Sequence, residues 1–145
     1  MTQNADIKRF SDKTDLIAAA TGHLSAILRE ALAARGRASA MLSGGSSPKP
    51  IYEALAKETL AWNGVGISLV DERWVEPTHE LSNHRFITEH FLSRLPEQSE
   101  FIPLYAKANT VIESLPLVQS LFDTAIQNRK SESFFDAVVL GMGGD

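Results

Sequence analysis

The chain of 145 residues has the length of one domain with a single buried core. Its hydrophobic and charged fractions, 43% and 22%, are those of ordinary globular proteins and argue against global disorder. A net charge of −4 disfavours general binding to nucleic acid or membrane surfaces, and the absence of cysteine excludes disulfides, thiolate metal sites and cysteine nucleophiles.

The N-terminal residues 1–10 are polar and lack the apolar core of a signal peptide. By inspection, no apolar stretch approaches the roughly 18–20 residues that cross a bilayer. We therefore expect a cytoplasmic protein with no membrane partner.

Helical and strand patterns alternate along the chain, which is typical of an α/β domain. Residues 6–10 are interpreted as a short edge strand. Apolar residues at helical spacing then predict a helix over about 13–35, with Ser11 or Asp12 as its N-cap and Gly36 at its end.

Short apolar runs predict four further strands. Their nearly unbroken apolar sequence is typical of strands in a parallel sheet that is covered on both faces. Pro103 indicates that the third of them is an edge or irregular strand. The predicted strands are residues 38–42, 65–70, 101–105 and 137–140.

Three more helices are predicted from their start signals. Ser47 as N-cap and Pro48 as first residue open a helix that extends through Leu60. Ser82 caps a helix over 82–95, and a capping box of Thr110 and Glu113 opens one that runs to about Arg129. Pro116 is expected to break or kink the first turns of the last helix.

Three polar or glycine-rich turns each follow a predicted buried strand, at residues 43–47, 71–73 and 141–145. In a parallel sheet all three lie at the carboxyl edge, where open α/β sheets bind their ligands. The coincidence of three such turns is more informative than any one of them.

The first turn has the composition of a phosphate cradle, because glycines permit close backbone approach and hydroxyls add hydrogen bonds. A plain strand-to-helix turn with a serine cap explains the same residues equally well. The P-loop spacing and the dinucleotide-binding glycine pattern are both absent. The candidate residues of this turn are Ser43, Gly44, Gly45, Ser46 and Ser47.

The second turn, Asp71-Glu72-Arg73, brings both signs of charge to the end of a strand. Arg73 has paired donors for a phosphate, and Asp71 is a candidate to orient a sugar hydroxyl or to act as a base. The alternative is a surface ion pair without a role. We favour a functional role because three adjacent charges are unusual at a strand end.

Asn83 and Arg85 become candidates only if the start of their helix faces the same cleft; otherwise they are ordinary helix-start residues. Gly141 and Gly143 are candidates for a second backbone nest, with Asp145 as a carboxylate at the sheet edge, although a simple turn has the same composition. The four histidines lack the spacing of a metal site, so no metal is expected.

Taken in series, these motifs resemble those of the 6-phosphogluconolactonases, which share an α/β superfamily with the glucosamine-6-phosphate isomerases. Asp-Glu-Arg, in place of the Asp-Glu-Tyr typical of the isomerase branch, favours the lactonases. The matching segments are Ser43-Gly44-Gly45-Ser46-Ser47-Pro48, Asp71-Glu72-Arg73-Trp74-Val75 with Ser82-Asn83, and Gly141-Met142-Gly143-Gly144-Asp145.

The resemblance implies a modified Rossmann-like fold, with a mostly parallel sheet between helices. It implies hydrolysis of 6-phospho-D-glucono-1,5-lactone, a small phosphosugar, to 6-phosphogluconate in the oxidative pentose phosphate pathway, with no metal or organic cofactor. The first turn and Arg73 would bind substrate, with Asn83 and Arg85 as weaker assignments and Asp145 in a supporting role.

In the family the last motif continues Gly-His-x-Ala-Ser, whose histidine is the expected general base. This chain ends at Asp145, before that residue and before the helix that normally follows a buried parallel strand. We therefore expect one sugar-phosphate-binding domain, residues 1–145, that is incomplete at its C-terminus and has little or no lactonase activity alone.

Two alternatives remain for the function: an isomerase or deaminase of amino-sugar phosphates, and a non-catalytic sugar-phosphate sensor. The sequence does not indicate an oligomeric state.

Overall fold

The chain folds into helices that alternate with the strands of one sheet, and the computed structural model describes residues 4–129 and 135–142. Short 3₁₀ turns at Trp62–Gly64 and Leu92–Arg94 precede β2 and follow α3. The elements are α1 (Lys13–Arg35), β1 (Ala38–Leu42), α2 (Lys49–Leu55), β2 (Val65–Leu69), α3 (Asn83–His90), β3 (Glu100–Ile102), α4 (Val111–Arg129) and β4 (Ala137–Val138).

The four strands are all parallel and lie in the order β3-β2-β1-β4. All five residues of β2 are buried. Since successive residues of a strand point to opposite faces, β2 is covered on both sides. The predicted α/β fold with a parallel sheet is therefore confirmed.

The register of the sheet sets the level at which the strands end. Leu42 of β1 lies beside Leu69 of β2, and Met41 lies beside Val138 of β4. The segments that follow β1, β2 and β4 therefore begin at nearly the same level along one edge of the sheet. Because the strands are parallel, this is the carboxyl edge of the sheet.

Helix α1 has the boundaries that the sequence predicts. The Asp12 carboxylate accepts from the Asp15 N–H at 2.8 Å, and Gly36 ends the helix with a φ of 72°. By length and composition α1 is also apolar enough to cross a membrane, which corrects the expectation from inspection of the sequence. In the structure α1 packs on α2 and β1, and 22% of its most apolar stretch is buried. Length and composition alone are weak evidence for a membrane span, because core helices and signal sequences meet the same criterion.

An aromatic cluster fixes α2 and α3 near the sheet. Tyr52, Trp62 and Phe91 are fully buried, and the rings of Trp62 and Phe91 meet edge to face with centroids 5.5 Å apart. Tyr52 of α2 lies 6.3 Å from Phe91 by the same measure. This cluster packs the C-terminal end of α3 against α2 and against the turn that precedes β2.

Several predicted boundaries are wrong. Residues 6–10 form no strand, since they have no partner strand in the described sheet and Ile7 and Phe10 remain exposed. Helix α2 starts with Pro48, not Ser47, as N-cap, and it ends at Leu55. It stops short of the predicted Leu60 because the chain turns there, with the Trp62 indole donating to the Glu58 carbonyl.

The later elements are shorter than predicted. Strand β3 ends at Ile102 because Pro103 has no N–H to continue the ladder. Strand β4 ends at Val138, although the Val139 N–H still donates to the Met41 carbonyl. Helix α3 ends at His90, and a 3₁₀ turn completes the predicted span.

Helix α4 continues through Pro116 without a break. Its predicted capping box forms only in part. The Thr110 hydroxyl accepts from the Glu113 N–H, but the Glu113 carboxylate accepts from the Asn109 N–H in place of that of Thr110.

Candidate functional site

The turns that follow β1, β2 and β4 line one cleft of about 390 Å³ at the carboxyl edge of the sheet. The start of α3 closes its side through Asn83. Nine predicted site residues line this cleft or the hollow beside it. Seven of them line the cleft itself: Ser43, Gly44, Gly45, Asp71, Arg73, Asn83 and Gly141.

A second hollow of about 590 Å³ adjoins this cleft across the first turn. It shares residues 43–45 and 140–142 with the cleft and adds the exposed hydroxyls of Ser46 and Ser47. Leu16, Pro48 and Ile51 give it an apolar wall. The first turn, residues 43–47, is called the serine–glycine turn below. It lies between the polar cleft and this more apolar hollow.

The first turn is fixed from below by Tyr52, which the sequence analysis did not single out. The Tyr52 hydroxyl donates to the Ser43 carbonyl oxygen at 2.7 Å and lies 3.4 Å from the Ser43 hydroxyl. Burial raises the pKa of Tyr52, so it stays a neutral donor. The apolar spacing of α2 predicts that Tyr52 is buried but not which group its hydroxyl meets.

The two glycines of the first turn are required for different reasons. Gly45 has a φ of 104°, a conformation that other residues rarely adopt. At Gly44 an added Cβ would lie 2.2 Å from the Asn83 Oδ1, so the backbone of the turn touches the Asn83 side chain. This contact joins the β1 turn to the start of α3.

The second turn presents Asp71 and Arg73, both exposed, to the cleft. The Asp71 carbonyl oxygen accepts from the Asn83 Nδ2 at 3.1 Å. The Arg73 guanidinium donates from Nη1 to the Leu81 carbonyl at 2.8 Å, and Arg73 is one of the residues that line the cleft. A cation with a planar set of donors therefore stands at the cleft.

Between them, the Glu72 side chain turns away from the cleft and meets the start of α3. Its carboxylate oxygens accept from the N–H groups of Arg73, Asn83 and His84 and from the Ser82 hydroxyl. The sequence analysis assigned no role to Glu72. No sequence pattern links residue 72 to residues 82–84, since the link depends on how the intervening loop folds back.

Arg85 lies apart from the cleft. Its guanidinium donates to the Glu89 carboxylate at 2.8 Å and to the Thr78 carbonyl at 3.1 Å, within a surface groove that His84 and Thr88 also line. The pKa of Arg85 is raised by its hydrogen bond to Glu89. The structure thus separates Arg85 from the other candidates.

Two of the candidate residues, Gly143 and Asp145, lie outside the described residues. Gly141 is described, and an added Cβ there would stand 3.8 Å from the Ser43 hydroxyl. Among residues 4–129 and 135–142, no group of three or more His, Asp or Glu side chains is arranged to hold a metal ion.

The family model for glucosamine-6-phosphate isomerases/6-phosphogluconolactonase matches residues 11–145. The chain belongs to this family. The recognition made from the three motifs is therefore confirmed at the level of the family.

Relatives within the glucosamine-6-phosphate isomerase/6-phosphogluconolactonase family match nearly the whole chain. A 6-phosphogluconolactonase of Rhizobium meliloti is 36% identical over 145 residues, which cover 98% of this chain and 59% of the relative. One of Pseudomonas putida is 37% identical over 139 residues, covering 96% and 54%. The chain thus spans little more than half the length of these curated relatives.

The same fold occurs in solved structures of the family. The crystal structure of a 6-phosphogluconolactonase from Shewanella baltica matches with a TM-score of 0.82 at 33% identity, covering 92% of this chain and 55% of that one. The parallel sheet and its helices are thus those of the family fold.

Proposed function

We propose that this chain forms the sugar-phosphate-binding part of an enzyme that hydrolyses 6-phospho-D-glucono-1,5-lactone to 6-phosphogluconate. The observation that carries the proposal is the meeting of the serine–glycine turn, the Asp71–Arg73 turn and Gly141 in one cleft. The names of the relatives supply the reaction.

The cleft suits a phosphorylated sugar in both charge and hydrogen bonding. We assign the phosphate to the Arg73 guanidinium and to the backbone and hydroxyl groups of the first turn, at Ser43, Gly44 and Gly45. Arginine binds phosphate with paired, charge-assisted hydrogen bonds. Ser46 and Ser47, exposed in the adjoining hollow, extend the same set of donors.

The sugar ring requires groups that accept as well as donate. Asp71 supplies a carboxylate at the cleft and Asn83 an amide whose Nδ2 is already held by the Asp71 carbonyl. We assign Asp71 to a sugar hydroxyl, with Asn83 fixing that side of the cleft. We assign to both residues the orientation of the sugar ring.

Hydrolysis of the lactone proceeds by attack of water on the carbonyl carbon, loss of a proton to a base and opening of the ring with the oxyanion held by donors. Among the described residues no histidine lines the cleft. Asp145, outside the described residues, keeps the supporting role that the resemblance implies. We assign binding and orientation to the described residues, and Asp71 stays the candidate base among those that line the cleft.

We further propose that the enzyme works in the cytoplasm on a free small substrate, with no nucleic-acid or membrane partner. The net charge of −4 and the local placement of Arg73 at the cleft support this, because the surface as a whole does not attract polyanions.

The proposal is tested by supplying the full chain, as its gene encodes it, with freshly prepared lactone and, separately, with glucosamine 6-phosphate. We expect 6-phosphogluconate to form faster than by spontaneous hydrolysis and no ammonia to be released. Release of ammonia or a ketose phosphate would assign the isomerase reaction in its place. Binding of phosphosugars without turnover of either substrate would support a sensor.

A further inference from the structure

Glu72 is the most heavily engaged carboxylate among the described residues next to the cleft. Its Oε1 accepts from the N–H groups of Asn83 and Arg73 at 2.7 and 2.8 Å. Its Oε2 accepts from the His84 N–H at 2.9 Å and the Ser82 hydroxyl at 3.1 Å. One side chain therefore ties the end of β2 to the start of α3.

These bonds go beyond ordinary capping of α3. The Ser82 hydroxyl already acts as the N-cap, accepting from the Arg85 N–H at 3.2 Å. Glu72 takes the preceding N–H groups of Asn83 and His84, which have no acceptor within the helix. A negative charge at this helix end is favourable, so the carboxylate is held firmly.

The residues that Glu72 holds are those that line the cleft. Its bond to the Arg73 N–H fixes the backbone from which the guanidinium extends, and its bond to the Asn83 N–H fixes an amide that contacts both the Asp71 carbonyl and Gly44. Glu72 itself is not among the residues that line the cleft.

We infer that Glu72 is a positioning residue, which sets Arg73 and Asn83 at the distance from the serine–glycine turn that a phosphosugar requires. The inference rests on the proposed function for its ligand. Glu72 touches no substrate and takes no proton. Its effect is carried through the backbone of the two residues beside it.

The decisive variant is Glu72→Gln in the full chain. Glutamine keeps the shape of the side chain but has only one acceptor oxygen, whereas both carboxylate oxygens of Glu72 accept hydrogen bonds. The matched control is Glu113→Gln, which alters a carboxylate that accepts a backbone N–H at the start of α4, away from the cleft. For each variant, KM and kcat for the lactone and the dissociation constant for 6-phosphogluconate are measured, after circular dichroism confirms folding.

We expect Glu72→Gln to raise KM and the dissociation constant by about tenfold or more, as loss of charge-assisted hydrogen bonds does, with a smaller change in kcat. Glu113→Gln should leave all three unchanged. A folded Glu72→Gln protein with parental KM and product affinity would overturn the inference, since a merely structural role lowers only the melting temperature.

If Glu72→Gln does not fold, Glu72→Asp decides in the same assays, because it keeps the charge and shortens the side chain by one methylene. A raised KM again supports the inference, and parental values overturn it. Failure of the proposed function looks different: the unmodified full chain would then show neither lactone hydrolysis nor affinity for 6-phosphogluconate.

Discussion

The backbone of Gly44 lies so near the Asn83 side chain that an added Cβ would stand 2.2 Å from the Asn83 Oδ1. Gly44→Ala must therefore displace either the turn or the amide. Overpacking of this kind typically costs about 1–3 kcal/mol. We expect the affinity for 6-phosphogluconate, measured by calorimetry, to fall by about tenfold.

Gly22→Ala is the matched control, because an added Cβ at Gly22, inside α1, meets nothing within 4 Å. Alanine there should stabilise the helix slightly and leave affinity unchanged. Equal affinities for Gly44→Ala and the parent would mean that the cleft does not depend on this contact.

His84 offers a test through pH. Its ring stacks on Phe101 with centroids 4.3 Å apart, and burial lowers its pKa, while the Glu72 carboxylate offsets part of that shift. An NMR titration should place its midpoint below the ordinary value of about 6.5. In Glu72→Gln the midpoint should move lower still, and a midpoint above the ordinary value would contradict the buried environment.

The sign of the effect on stability follows from the same shift. Because the pKa of His84 is lower in the folded protein, the unfolded chain takes up the proton first as pH falls. This contribution to stability is full above the unfolded pKa and is lost as pH falls through the folded one. Replacement of His84 by Gln should flatten that part of the profile of unfolding free energy against pH.

At the scale of elements, β4 is held to the sheet by a side chain as well as by its ladder. The Asp136 carboxylate accepts from the Ser39 N–H at 2.8 Å and pairs with the Arg35 guanidinium at the end of α1. Strand β4 has only two residues, so its position depends strongly on this anchor. The strand in turn places Gly141 at the cleft.

Asp136→Ala should therefore lower the free energy of unfolding by about 2 kcal/mol, as expected for loss of a partly buried, charged hydrogen-bond acceptor. Exchange of the Val139 amide, which donates to Met41 in the same ladder, should become faster. Asp6→Ala is the control, since Asp6 makes only an exposed pair with Lys8. Equal stability of both variants would refute the anchor.

The sequence predicted the elements where a local signal exists. Asp12 and Gly36 mark the ends of α1, and the apolar runs of β1 and β2 are visible without any tertiary information. Boundaries that depend on distant contacts were missed. Helix α2 ends early where Trp62 packs into the core, and residues 6–10 lack a strand to pair with in the described sheet.

At the scale of the whole molecule, the sequence correctly predicted that three turns lie at one edge of the sheet, because parallel strands have their carboxyl ends at the same edge. It could not predict which side chains at that edge turn inward. Arg85 is two residues from Asn83 but lies in another groove with Glu89. Tyr52, which belongs to none of the three motifs, and Glu72, whose role the second motif does not indicate, both support the cleft.

The chain spans between 54% and 59% of the length of the first curated relatives, yet it carries the turns after β1, β2 and β4. These turns define where a phosphosugar would lie relative to the sheet.

The most direct test of the shared cleft is an NMR titration of the full chain with 6-phosphogluconate, following backbone amide signals. We expect the largest changes together at Gly44, Gly45, Asp71, Asn83 and Gly141, saturating at one common dissociation constant. Changes confined to one turn, or centred on the groove of Thr78, Arg85 and Thr88, would contradict the claim that the three turns hold one ligand.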